Sequence, residues 1–169
     1  DNCWESSGII NIDEEEIDRI IREAGINPTK RDRDIVVWFL MGHEKGHHLQ
    51  EITRPGRNYE VEHHVMEIES DLMGAWVLAR LMGDDFDKSM SEIVKHFDDA
   101  NMIARRLGVT LGDDRANDPH HPWAEQRELA FVRGPGIALQ WPQQLTDATR
   151  QSFAEDMRKT AQAIRKRGL

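Results

Sequence analysis

The sequence predicts a mainly α, compact single domain, with at most a short strand or hairpin near the N-terminus. Three observations predict it. Apolar residues recur at helical spacing along most of the chain. Almost nothing alternates with the period of two that a half-buried strand requires. At 169 residues the chain suits one domain with a real core, and it carries no internal repeat or low-complexity segment.

In chain order, residues 1–12 are irregular, with Ser6-Ser7-Gly8 leading into Ile9-Ile10-Asn11-Ile12 as one short strand or hairpin. Asp13 with Glu16 three residues on reads as a capping box. Ile17, Ile20, Ile21 and Ala24 then keep helical spacing until Gly25 stops the helix. Asn27–Arg33 is a polar loop carrying Pro28. A second helix runs from about Asp34 to Ile52, and Arg54-Pro55-Gly56-Arg57 turns the chain. A third spans about Tyr59 to Met82, with Val65, Ile68, Leu72, Ala75, Trp76 and Ala79 on its apolar face. A fourth covers roughly Asp87–Leu107 through Ile93, Phe97, Met102, Ile103 and Leu107. Gly108–His121 is a polar loop, and Pro122 suits the first position of a helix over 122–133. Gly134-Pro135-Gly136 opens a loop, and Thr146 or Asp147 starts a last amphipathic helix to about Lys166. Trp38, Trp76, Trp123 and Trp141 read as packing residues.

Composition narrows the function. A net charge of −9 argues against nucleic acid or an anionic membrane as the main partner. The basic residues at the end (Arg158, Lys159, Arg165, Lys166, Arg167) fit a solvated helix C-terminus favoured by its dipole. A single cysteine, Cys3, precludes an intrachain disulfide and fits a reducing compartment, so the expected location is cytoplasmic. The longest apolar run, Ile35–Met41, is too short to span a bilayer. The sequence opens at Asp1 without a methionine, as a trimmed or processed chain does. Oligomeric state is not readable from these residues.

The chemistry gathers in the stretch Asp34–Gln50 of the second helix, which reads DIVVWFLMGHEKGHHLQ and contains the HExxH motif His43-Glu44-Lys45-Gly46-His47. Histidines four apart leave one helix face a turn apart, so both imidazoles can hold one Zn²⁺ while Glu44 reaches a water on it. The apolar residues ahead of them, Val36 to Leu40, would bury the helix and fix where the rings point. Two histidines leave a catalytic zinc short of its third protein ligand. Glu67-Ile68-Glu69-Ser70-Asp71, on a helix returning after the turn, supplies it: Glu67 follows His47 by 20 residues, and Asp71 lies one turn beyond. Glu69 and Glu62 are rivals for that ligand. Asp71 could accept the other ring N–H of His43 or His47 and fix its tautomer.

HExxH followed by E-x-x-S-D resembles the gluzincin pattern of thermolysin-type peptidases and of the CAAX prenyl protease and HtpX group. His121-Pro122 with Arg127, an HP-x4-R segment, is similar to the element that follows these motifs in the HtpX-like group. The resemblance covers about residues 36–75 and 118–130. It implies a helical zincin-like domain whose zinc ligands are His43, His47 and Glu67. By it Glu44 is the general base and Asp71 the partner that orients a ligand. The implied activity is zinc-dependent hydrolysis of a peptide or amide bond in a peptide or protein substrate. His121 and then His120 are the candidate donors to the oxyanion, and Arg127 counts with Asp71 among the supports of the ligands, anchoring the histidine loop or the substrate. Three departures stand out: Lys45 is charged where an uncharged residue is usual, hydrophobic spans are missing, as in a soluble relative, and no edge strand for an extended substrate is evident.

Two rival readings use the same residues. Glu44-x-x-His47 and Glu60-x-x-His63 both have the Glu-x-x-His spacing of di-iron carboxylate bundles, with Glu16 or Glu92 as further ligands. A non-catalytic interaction module with a structural metal would normally need a fourth, often cysteine, ligand. His48, His63 and His64 read as surface histidines or as supports of the ligands.

Overall fold

The computed structural model describes residues 3–6, 9–26, 28–56, 59–82, 124–141 and 145–167. It is mainly helical, as the spacing predicts. The N-terminus forms a two-stranded antiparallel hairpin, β1 (Cys3–Ser6) and β2 (Ile9–Ile12), with Cys3 opposite Ile12 and Ser6 opposite Ile9. Five helices follow among the described residues: α1 (Glu14–Glu23), α2 (Lys30–Thr53), α3 (Tyr59–Met82), α4 (Ala124–Gln140) and α5 (Asp147–Arg167).

Local chemistry accounts for most of the boundaries. The Asp13 carboxylate accepts from the backbone N–H groups of Glu15 (3.1 Å) and Glu16 (3.2 Å), which would otherwise be unpaired at the start of α1. Only half of the expected capping box forms, because the Glu16 side chain pairs with Arg19 (2.6 Å) instead of turning back. Gly25, at φ 61°, ends that helix, and Gly56, at φ 77°, makes the turn between α2 and α3; both backbones lie where a Cβ is disfavoured. α2 starts at Lys30 rather than near Asp34, since the Thr29 hydroxyl caps it by accepting from Asp32 N–H (3.2 Å). The stretch read as polar loop is thus partly first turn.

α4 is the larger departure. It continues through Gly134-Pro135-Gly136 to Gln140, where local propensity predicts a loop. Tertiary packing overrides that propensity. A Cβ on Gly134 would stand 2.3 Å from the Ala75 Cβ and 3.1 Å from the Leu72 carbonyl oxygen, so α4 rides directly on the α3 backbone.

α3 is the central helix, packed against α2, α4 and α5, and it is buried nearly all round from Val65 to Trp76. Two apolar clusters flank its polar middle. One joins Ile17, Ile20 and Ile21 of α1 to Ile35, Val36, Phe39 and Leu40 of α2, with Leu78 and Phe131. The other joins Leu49, Ile68, Leu72 and Trp76 to Phe153, Met157 and Ile164 of α5. Along α2, residues 43–47 separate Leu40 of the first cluster from Leu49 of the second. Trp76 and Trp141 pack against Phe153, the first tilted and the second edge-to-face, whereas Trp38 is exposed on the outer face of α2. No helix among the described residues is long and apolar enough to cross a membrane. The predicted helix Asp87–Leu107, the Gly108–His121 loop with His120 and His121, Pro122 and Trp123 lie outside the described residues.

Candidate metal centre

The site begins with absent side chains. α2 presents Gly42 and Gly46, four residues apart, to Gly74 and Ser70 of antiparallel α3. A Cβ on Gly46 would lie 2.7 Å from the Ser70 Cα, and one on Gly42 would lie 2.9 Å from the Gly74 Cα. The two backbones therefore touch, and side chains next to these positions reach across without bridging a gap. His43 and His47 follow the two glycines by one residue each, so the same crossing carries their rings to α3.

There they meet Glu67. His43 Nε2 and His47 Nε2 are 3.1 Å apart. Each also faces one oxygen of the Glu67 carboxylate: Oε2 at 3.4 Å from His43 and Oε1 at 3.3 Å from His47. These three residues form a cluster that could hold a metal ion, with one ligand atom from each within 4.8 Å of the others. It is the only such group among the described residues. Glu69 is excluded as a rival by helix geometry. Two residues along, it points to the other side of α3 and is paired with Arg54. Glu62 is likewise bound to Arg158, at 2.8 Å.

Both Nδ1 atoms are occupied, which leaves the Nε2 atoms to face inward. His43 Nδ1 donates to Asp71 Oδ1 at 3.0 Å. The antiparallel crossing decides between the two histidines: a residue one turn beyond Glu67 runs back toward the start of α2 and meets His43. Asp71 is fully buried, and its carboxylate is gripped by Arg127 of α4 through Nε to Oδ2 and Nη2 to Oδ1, each 2.8 Å. Arg127 is 5% exposed, so its grip on Asp71 belongs to the interior of the molecule; the His120 and His121 loop it is also expected to anchor lies outside the described residues. On the other side, Ser70 Oγ lies 3.1 Å and Gln50 Oε1 3.4 Å from His47 Nδ1.

The electrostatics follow from these partners. Burial disfavours the charged form of His43, but hydrogen bonds to Asp71 and Glu67 outweigh it, and its pKa rises from 6.5 to about 10. Burial, then the neighbouring charge of His43, pushes His47 down from 6.5 to about 4. Burial also raises Glu67, yet the hydrogen bond and charge of His43, with His47 and Arg127, hold its carboxyl well below the usual carboxylate range. The cluster is a preformed anionic nest that already favours one positive charge.

Glu44 sits on α2 directly after His43 and is half-buried. Of the ligands the di-iron reading would need, Glu16 is engaged with Arg19 at the surface of α1, and His63 joins no metal-competent group among the described residues. Glu92 lies outside the described residues. Gln50 and the two-glycine crossing were not singled out by sequence reasoning, and Ser70 entered only as part of the E-x-x-S-D motif, without its contact to His47. The matched spacings Gly42-x-x-x-Gly46 and Ser70-x-x-x-Gly74 were the available signal. Comparison of the chain with protein-family models, curated proteins and solved structures returned no match.

Proposed function

We propose that this chain is a zinc-dependent, gluzincin-like peptidase that hydrolyses a peptide or amide bond with Glu44 as general base. One observation carries the reading. A tetrahedral zinc with bonds of about 2.0–2.1 Å holds its ligand atoms roughly 3.3 Å apart. The spacings of 3.1, 3.3 and 3.4 Å around His43, His47 and Glu67 agree with that. Two imidazoles and one carboxylate also leave a fourth position for water, as catalytic zinc sites do and structural ones do not.

Held by His43, His47 and Glu67, Zn²⁺ would supply Lewis acidity to a water and to the scissile carbonyl. The chain's own residues do the rest. His43 and His47 present Nε2, and Glu67 presents a carboxylate that stays ionised across the physiological range. Asp71 keeps the His43 Nδ1 proton in place, and Arg127 keeps Asp71 in place. The Glu44 carboxylate takes the proton of the attacking water and returns it to the leaving amine nitrogen.

The test is elemental analysis of chain expressed with zinc and iron both available, followed by assays on a peptide library. One zinc per chain, lost in Glu67→Ala, is the expected result. Glu44→Gln should keep the zinc and lose about 10²- to 10⁴-fold in turnover. Two irons per chain, or a Glu44→Gln variant as active as the parent, would refute the reading.

A further inference from the structure

The geometry points to Gln50 as the positioning residue that fixes the second histidine of the centre, extending the motif by one turn to His43-x-x-x-His47-x-x-Gln50. The inference rests on the metal reading above and concerns how the chain holds His47.

Gln50 is a neutral amide at 2% exposure. Burying such a group is costly unless its donors and acceptor are matched. Its Nε2 donates to the Met66 carbonyl oxygen at 2.8 Å and toward Ser70 Oγ at 3.3 Å. The opposite amide orientation would set oxygen against the Met66 carbonyl, so this contact decides which end is which. The acceptor Oε1 is then left on the side of His47 Nδ1, 3.4 Å away.

Ser70 alone could not do this. Its hydroxyl lies nearer, at 3.1 Å from Nδ1, but a hydroxyl donates or accepts with equal ease and leaves the tautomer open. Gln50 resolves the ambiguity: by donating toward Ser70 Oγ and offering Oε1, it presents His47 Nδ1 with acceptors, which places the ring proton on Nδ1 and the lone pair on Nε2. Met66 also immediately precedes Glu67 in the chain. A single amide thus ties the ring of one ligand to the backbone beside another. The carboxylate that usually orients a metal-bound histidine is replaced here by a neutral group.

Two substitutions separate positioning from mere helix clamping. Gln50→Met keeps length and removes both donor and acceptor. Gln50→Glu loses the donor to Met66 O and keeps an acceptor for Nδ1. Chain stripped with chelator is titrated with Co²⁺, reading its visible spectrum, and with Zn²⁺ against a colorimetric chelator. The thermal midpoint of the stripped chain is measured in parallel. Gln50→Met is expected to weaken both metals by about 10- to 100-fold and alter the cobalt spectrum. Gln50→Glu is expected to restore affinity while its stripped midpoint stays as low as that of Gln50→Met. Equal affinity of Gln50→Met and parent, or equal weakening in both variants, would overturn the assignment. Should Gln50→Met not fold, Gln50→Glu decides by itself: retained affinity supports the role, and a tenfold or greater loss overturns it. A parent chain that takes up neither metal would overturn the metal reading and this inference together.

Discussion

The two histidines of one motif, four residues apart on one helix, are held by opposite kinds of chemistry. His43 leans on a fully buried carboxylate that is itself clamped by a buried guanidinium from a different helix. His47 leans on a hydroxyl and an amide, both neutral and both within the α2–α3 pair. The first arrangement places three charged or chargeable groups in the interior, where each is tolerable only because of the others. The second has no charge to strand. The difference gives the rings opposite proton affinities. It also assigns them different work: His43 joins the centre to α4, and His47 joins it to the helix crossing.

Removing one support from each side should expose that asymmetry most strongly. Asp71→Ala removes the carboxylate that accepts both hydrogen bonds from the buried Arg127 guanidinium and one from His43, an expected loss of about 3–5 kcal/mol by urea unfolding. Ser70→Ala removes a neutral contact and should cost about 1 kcal/mol. Similar losses in the two variants would remove the distinction. An intermediate effect is expected from Gly46→Ala, whose methyl would meet the Ser70 backbone at 2.7 Å. Prying the helices apart should cost about 1–3 kcal/mol and weaken zinc binding as His47 is carried away from Glu67. Zinc binding unchanged in that variant would mean the close crossing does not set the ligand spacing.

The subtlest difference is in protons. With no ion bound, His43 is protonated more readily in the folded chain than in the unfolded one. Its contribution is therefore full below pH 6.5 and is lost as pH rises toward about 10. His47 does the reverse: the unfolded ring charges below pH 6.5 while the folded one resists until about 4, so stability falls as pH falls through that window. Depressed Glu67 adds to the acid side, below its ordinary 4.5. Together these three groups place the stability maximum of chelator-treated chain near 6.5, checked by urea midpoints on either side. Metal uptake requires neutral imidazole, so it should expel about one proton per ion at neutral pH, from His43. Calorimetry in buffers of different ionisation enthalpy reads that number, and a value of zero would contradict the raised His43.

Where local pattern decides structure, the sequence was readable. α3 begins and ends at the residues its apolar spacing predicts, and α1 is set by Asp13. The ligand set could be proposed because HExxH and Glu67 follow from helix periodicity plus one turn. What escaped depends on contacts between distant residues. Arg127 entered through the HP-x4-R segment, but its direct partner, Asp71, lies 56 residues away and nothing local announces that pairing. Gly134-Pro135-Gly136 reads as a break because its helical state is imposed from outside, by α3 lying against Gly134. Gln50 looks like any polar residue on a helix until the Met66 carbonyl is placed beside it.

All three residues of the candidate centre lie on one helical hairpin, between positions 43 and 67, while the charged clamp arrives from α4. In kinetic terms the ligands are local in sequence and the clamp is not. Loop closure for the hairpin is short, and bringing Arg127 to Asp71 closes a much longer loop. The expected folding order is therefore hairpin first and α4 afterwards, with the ion able to join at the earlier stage. Pulse-labelled hydrogen exchange during refolding, with and without Zn²⁺, reads that order directly. Zinc present from the start should accelerate protection in α2 and α3 while leaving the rate for α4 to its own docking.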